Sequence, residues 1–309
     1  MYKIMTPGPT QVAENVRLAR SRECTNPDLD ESFVEFYKET CEEISRLLHT
    51  DNETLILGGE GILGLEAACA SMTEPGDRVL VLDNGIYGRG FADFVSMYGG
   101  CPELYSRDYR ETLDVQELEA FLKEHHDYKY ATVVHGDTPS GMLNDVSAIC
   151  PLLKKYGIMT VVDSVSASFG EPMRISDWQI DIMCGGSQKV VSAPPGLTFV
   201  VISDDAKKAM TERKTPIASF YANILVFKDY YKNLWFPYTM PISDIYGLRT
   251  ALENVKAAPD RYERHKQMGE LTRRTVKEMG LSLYLENGYS NTVTVIRVPD
   301  GIKADDILE

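Results

Sequence analysis

The chain has no C-x-x-C pair among its six cysteines, no run of Lys and Arg, and no apolar stretch long enough to span a bilayer. Each absence closes off a class of protein. Cys24, Cys41, Cys69, Cys101, Cys150 and Cys184 are scattered, so neither a zinc site nor a disulfide framework is indicated, and most read as core thiols. With no basic cluster to offset a formal charge of −14, the chain would repel a polyanion, which argues against a nucleic-acid partner. Met1-Tyr2-Lys3-Ile4-Met5-Thr6-Pro7 lacks the apolar core of a signal peptide, and the expectation is a cytoplasmic protein with no membrane partner. No internal repeat or low-complexity linker is present. The glycine-rich turn at 58–64 lacks the G-x-G-x-x-G spacing of a dinucleotide site, because Leu63-Gly64 follows too soon.

At 309 residues and 43% hydrophobic, the chain can bury one large core and leave material for a second, smaller unit. Between about 50 and 205, short β-branched runs alternate with amphipathic stretches, the pattern of strand-helix-strand units and a parallel sheet. Strands are expected at 54–57, 78–82, 131–134, 159–162, 181–184 and 198–202, with helices at 62–72, 88–98, 115–125 and 146–156, the last stopping before Gly157. From 242 to about 279 the sequence reads as one long charged helix with Tyr246, Leu248, Leu252 and Val255 on its apolar face. Strands at 281–285 and 292–298 follow, around the Glu286-Asn287-Gly288 turn, and a helix begins at 304. The expected division is an N-terminal segment 1–15, a large domain 16–245, and a linking helix with the start of a smaller α+β domain at 246–309. Two strands and a helix start cannot bury their own apolar face, so that last unit is expected to be incomplete at Glu309.

In an open parallel sheet, ligands bind beyond the carboxyl ends of the strands. Here those ends carry Gly58-Gly59-Glu60-Gly61-Ile62, His135-Gly136-Asp137-Thr138, Asp163-Ser164-Val165-Ser166 and Gly185-Gly186-Ser187-Gln188-Lys189. A glycine turn opening a helix suits a phosphate, though it is equally often a plain tight turn. Asp163 follows an apolar run and needs a partner to stay charged; taken alone it reads equally well as a helix-capping aspartate. A lone lysine is ordinarily a solvated surface charge. Lys189, however, sits between small residues and the rigid Ala193-Pro194-Pro195-Gly196 turn, which would confine its side chain.

Val162-Asp163-Ser164-Val165-Ser166-Ala167-Ser168, then Gly185-Gly186-Ser187-Gln188-Lys189 and Ala193-Pro194-Pro195-Gly196, resemble the class V aminotransferases, in particular their alanine-glyoxylate and serine-pyruvate branch. The likeness runs from Thr6-Pro7-Gly8-Pro9-Thr10 through Asn84-Gly85-Ile86-Tyr87-Gly88-Arg89 to Tyr238-Thr239-Met240-Pro241 and Leu248-Arg249. It implies the fold type I architecture of pyridoxal-phosphate transferases, with a mainly parallel sheet in a large domain and a smaller C-terminal domain. It also implies transfer of an amino group from alanine or serine to glyoxylate or pyruvate. Lys189 would carry pyridoxal 5′-phosphate as a Schiff base and shuttle the proton from Cα, while Asp163 would hold the ring nitrogen protonated. Tyr87 would lie on the ring and Thr138 near its phenolic oxygen. Glu60, Gly61 and Ile62 would cradle the phosphate by their backbone, helped by Gln188 and by Thr239 of a second subunit, and Val165 completes the cofactor-binding set. A homodimer with a shared site follows from that pattern.

Three residues depart from it. Glu60 stands where the branch has serine, so its carboxylate is expected to turn away from a phosphate or to meet a cation. Phe236 replaces a tyrosine that would add a hydroxyl. Arg297 does not sit in the motif of the carboxylate-binding arginine, which would lie beyond Glu309. A cysteine desulfurase would need histidine before the lysine and a loop cysteine, and Gln188 stands in that place. A transaminase for aminoethylphosphonate, or a cofactor-binding regulatory protein, are the other readings of this fold.

Overall fold

The computed structural model describes residues 3–308. Seven strands form the central sheet: β1 Glu53–Gly58, β2 Arg78–Asp83, β3 Cys101–Ser106, β4 Tyr130–Val134, β5 Met159–Asp163, β6 Ile182–Gly186 and β7 Leu197–Ile202. Their spatial order is β1-β7-β6-β5-β4-β2-β3. All run the same way except β7, which is antiparallel to both β1 and β6. β4 and β7 are buried along their whole length, as strands covered by helices on both faces must be. Among the described residues no helix is long and apolar enough to cross a membrane.

The helices before and between the strands are α1 Glu14–Ala19, α2 Glu31–Leu47, α3 Gly61–Met72, α4 Ile86–Met97, α5 Val115–Glu124 and α6 Val146–Lys155, and α7 Asp204–Thr211 follows the last strand. Asp30, Asp114, Asp145 and Ser203 start α2, α5, α6 and α7 by accepting a backbone N–H of the first turn, which satisfies donors the helix cannot pair itself. All six expected strands and all four expected helices form within two residues of their expected ends. β3 is the strand the sequence hides. Only Tyr105 of its six residues is buried, so it lies at the sheet edge with no alternation to read.

The long helix expected at 242–279 is in fact two, α9 Ile242–Lys256 and α10 Arg261–Glu278, with the short α8 Tyr230–Asn233 before them. Pro259 is the cause: it has no N–H to donate and disfavours helical geometry at Ala258. Ile242, Ile245, Leu248, Ala251, Leu252 and Val255 of α9 belong to the main core, so residues 246–256 pack with the large unit. We place the proposed boundary at the 257–260 break rather than at 245. The segments 281–285 and 292–298 pair through Tyr284 N to Val295 O (3.0 Å) and Arg297 N to Ser282 O (2.8 Å), yet form a single bridge, Leu283 to Ile296, instead of two strands. A two-stranded ribbon is marginal by itself, and this one leans on the large unit through Leu143 N to Gly288 O and Ser290 N to Gly141 O, both 2.8 Å. The helix start at 304 is present as α11 Ala304–Leu308.

Candidate active site

The carboxyl ends of β1, β2, β4, β5 and β6 open on one cavity of about 270 Å³, lined by Glu60, Gly61, Ile62, Tyr87, Thr138, Asp163, Val165, Gln188 and Lys189. Gly8, Pro9, Leu65, Gly136, Ser166 and Pro195 complete its wall. Nine of the ten residues singled out from sequence therefore meet in one place. Thr239 does not. It is exposed and its hydroxyl bonds Asp28 Oδ2 at 3.4 Å. Phe236 lies inside the aromatic cluster of Phe33, Tyr37 and Tyr230.

Asp163 ends β5 and is 5% exposed. Its Oδ1 accepts the Val165 N–H at 2.9 Å, and no described residue donates to Oδ2. Burial pushes its carboxyl up to about 7; the charges of Asp137 and Glu60 push the same way, against the Val165 N–H and Lys189. In the unfolded chain the group titrates near 4. The folded state thus holds an extra proton between the two values, and stability falls as pH rises across that window. The ligand-free protein should lose melting temperature from about pH 5 to about pH 7, more steeply than Asp163→Asn, which has no proton to lose there. Parallel melting curves for the two proteins would show that Asp163 does not titrate in this range.

Lys189 follows β6 in a turn held by Ser187, whose hydroxyl donates to Pro194 O at 2.6 Å. The N-terminal segment straps this turn: Thr10 Oγ1 donates to Lys189 O at 2.7 Å and Thr10 N to Gln188 O at 2.9 Å. Burial lowers the Lys189 pKa, with Asp163 and Glu60 opposing. No described carboxylate forms an ion pair with it, so nothing beside it offsets the burial that disfavours its charge. Tyr87 is 41% exposed at the cavity edge, and burial followed by the charges of Asp163, Asp137 and Glu60 raises its phenol pKa. Thr138 Oγ1 donates to Ser166 Oγ at 2.8 Å. Behind this wall, His135 is buried and pushed down to about 4 by its burial, so it is neutral, with Nδ1 3.1 Å from Ser164 Oγ.

The α3 end of the cavity corrects one expectation. Glu60 neither turns away nor meets a cation. Its Oε1 accepts the Ile62 N–H at 3.2 Å as the N-cap of α3, and its Oε2 accepts Gln188 Nε2 at 2.9 Å. That second bond fixes the orientation of the Gln188 amide, whose Oε1 is buried with no donor. Gly61 lets α3 start this close, because a Cβ there would lie 2.7 Å from Val165 Cγ2.

An amine and a buried carboxylate on neighbouring strand ends, with a phenol at the rim, are the groups that hold a pyridine aldehyde. The model of class V aminotransferases matches residues 8–306. The chain belongs to this family. It is a transaminase, and members of the class work through pyridoxal 5′-phosphate. The chain is 35% identical to the pyridoxamine–pyruvate transaminase of Mesorhizobium japonicum over 89% of its length and 71% of that protein's. It is 30% identical to the alanine–glyoxylate aminotransferase of Callithrix jacchus, covering 99% of this chain and 75% of the other. Among solved structures, ureidoglycine–glyoxylate aminotransferase of Bacillus subtilis superposes with a TM-score of 0.94 at 26% identity, over 99% of this chain and 80% of that one. The shared architecture is the fold type I sheet expected from the resemblance. Of the cavity residues that sequence reading did not single out, Gly8, Pro9, Gly136, Ser166 and Pro195 stood inside quoted motifs, whereas Leu65 carried no chemical signal.

Proposed function

We propose that this transaminase exchanges an amino group between a pyridoxal-type ring without a phosphate and a small 2-oxo acid, pyruvate in the first instance, so that pyridoxamine and pyruvate give pyridoxal and alanine. The observation that carries this reading is the α3 end of the cavity. A phosphate seat needs donors, and here Glu60 offers a carboxylate, Gln188 Oε1 is a second acceptor, and the Ile62 N–H is already taken. A hydroxymethyl group, which donates one hydrogen bond and carries no charge, fits these acceptors; a dianion beside Glu60 does not. The relative named for pyridoxamine and pyruvate supports the same pair.

The ring end fits in either case. A bound pyridoxal-type ring supplies an electron sink for the C–H bond broken at Cα or at the ring-side carbon. Asp163 would hold a proton at the ring nitrogen, Lys189 Nζ would carry a proton from the ring-side carbon to Cα when pyridoxamine is the donor and the reverse way when alanine is, and Tyr87 and Val165 would keep the ring flat between them. Thr138 and Ser166 present hydroxyls for the phenolic oxygen. The second reading keeps a resident pyridoxal phosphate and moves amino groups from alanine or serine to glyoxylate or pyruvate. It requires Glu60 to swing out and release the Gln188 amide and the Ile62 N–H to the phosphate, and the family's chemistry favours it. In both readings a second copy of the chain would supply Thr239. Ile62 and Tyr87, which line the cavity and are 38% and 41% exposed, with the exposed Ile86 beside Tyr87 in the chain, suit such a cover.

Glu60→Ser separates the readings. The native protein should bind pyridoxamine at least about tenfold more tightly than pyridoxamine phosphate, and Glu60→Ser should reverse that order, since the variant exchanges a charge for a donor. Calorimetric titration of both proteins with both compounds measures it. Native protein that purifies with pyridoxal phosphate and prefers the phosphorylated form would overturn the first reading in favour of the second.

A further inference from the structure

The start of α4 has no cap of its own. Gly85, its N-cap, carries no side chain, and the first N–H groups of a helix need acceptors from elsewhere. The Asp137 carboxyl group lies directly against this start: a Cβ on Gly85 would sit 2.7 Å from Asp137 Cγ, 2.8 Å from Oδ1 and 3.0 Å from Oδ2. Gly85 is extended at φ 179°, so the glycine is required by space and not by backbone angle.

Asp137 reaches this point from the hairpin after β4 and is 2% exposed. One oxygen is fixed, since Oδ2 accepts Ser140 N at 3.0 Å and Ser140 Oγ at 2.6 Å. Oδ1 is buried and completes no hydrogen bond. Burial raises the pKa of this carboxyl, and the Ser140 donors together with the Tyr87 backbone N–H work against that rise. A buried carboxylate has thus been set against a helix N-terminus, where the helix dipole favours negative charge. Tyr87 is the second residue of α4, and no described residue is hydrogen-bonded to its phenol. The position of its ring is therefore set by the backbone that carries it.

We propose that Asp137 is a positioning residue: it caps α4 from a neighbouring strand end and so fixes the Tyr87 ring over the pyridine seat. The proposal rests on the reading of Tyr87 as the face of that seat. Two variants approach the same contact from opposite sides. Asp137→Asn removes the charge, and Gly85→Ala drives a methyl group into the carboxyl without altering any charge, which keeps the test clear of the electrostatic coupling between Asp137 and Asp163.

The dissociation constant of pyridoxamine, which cannot condense with Lys189, is measured by calorimetry for the native protein, both variants, Tyr87→Ala, and each variant combined with Tyr87→Ala; pyridoxamine phosphate is run alongside. Asp137→Asn and Gly85→Ala should each weaken ring binding about tenfold, the size of a lost stacking contact. In the Tyr87→Ala background neither should weaken it further, because groups that act through one residue are not additive. Multiplying losses in the double variants would mean that Asp137 acts independently of Tyr87, and would overturn the proposal. An unchanged dissociation constant for Tyr87→Ala would instead remove the ring seat itself. Should Asp137→Asn melt below the assay temperature, the Gly85→Ala pair decides alone.

Discussion

Lys189→Ala is expected to leave a folded protein that still admits the pyridoxal ring but never becomes covalently joined to it, with transamination reduced by about 10³-fold or more, the scale of a lost proton-transfer group. The reason lies in where the amine sits. Among the described residues Lys189 is the one lysine lining the cavity, its backbone is clamped by Thr10 and Ser192, and burial lowers its pKa. Its side chain also lies against the N-terminal strap, since a Cβ on Gly8 would come within 2.7 Å of Nζ, so the amine has one region to work in. Borohydride reduction of the pyridoxal-treated native protein, followed by peptide mass mapping, should label Lys189, and the variant should take up no label. A label on another lysine would remove the basis of the whole site.

How far the sequence could be read depended on the range of the interaction. The strands of the sheet interior were legible because burial on both faces writes a continuous apolar run, as in the fully buried β4 and β7. β3 was not, because an edge strand with Pro102 and Glu103 in it answers to its neighbour β2 and not to a local pattern. The break at 257–260 was visible in Pro259, but the charged helical pattern on both sides of it outweighed one residue.

The cavity residues divide in the same way. Asp163 and Lys189 announce themselves by standing at the ends of apolar strands, and their meeting follows from β5 and β6 being parallel neighbours. The bond between Gln188 and Glu60 joins residues 128 positions apart, and nothing in either local sequence signals that the two acceptors would close the phosphate end. Asp137 was in view as part of a strand-end motif, yet only the three-dimensional approach of Gly85 gives it a partner.

Asp163→Asn should fold and admit the ring but lose turnover, with kcat falling roughly 10²–10³-fold, the usual loss when a preorganised charge is removed from a reacting centre. The carboxylate and the amide have nearly the same shape, and the Val165 N–H that Oδ1 accepts at 2.9 Å can be kept by the amide oxygen. What the amide cannot do is balance a proton on the ring nitrogen, and without that positive charge the electron pair left on the carbon that loses its proton has no sink. The pKa of this carboxyl is raised to about 7: the protein holds it in surroundings that resist its charge, so a pyridinium opposite it would relieve a cost present before binding. Ring binding should therefore raise the melting temperature of the native protein more than that of Asp163→Asn at about pH 8, where the ligand-free carboxylate is ionised. Steady-state kinetics with pyridoxamine and pyruvate, and with alanine and glyoxylate, give kcat; thermal melts with and without ligand give the stabilisation. Near-native kcat in the variant with either pair would reduce Asp163 to a turn residue that holds Val165.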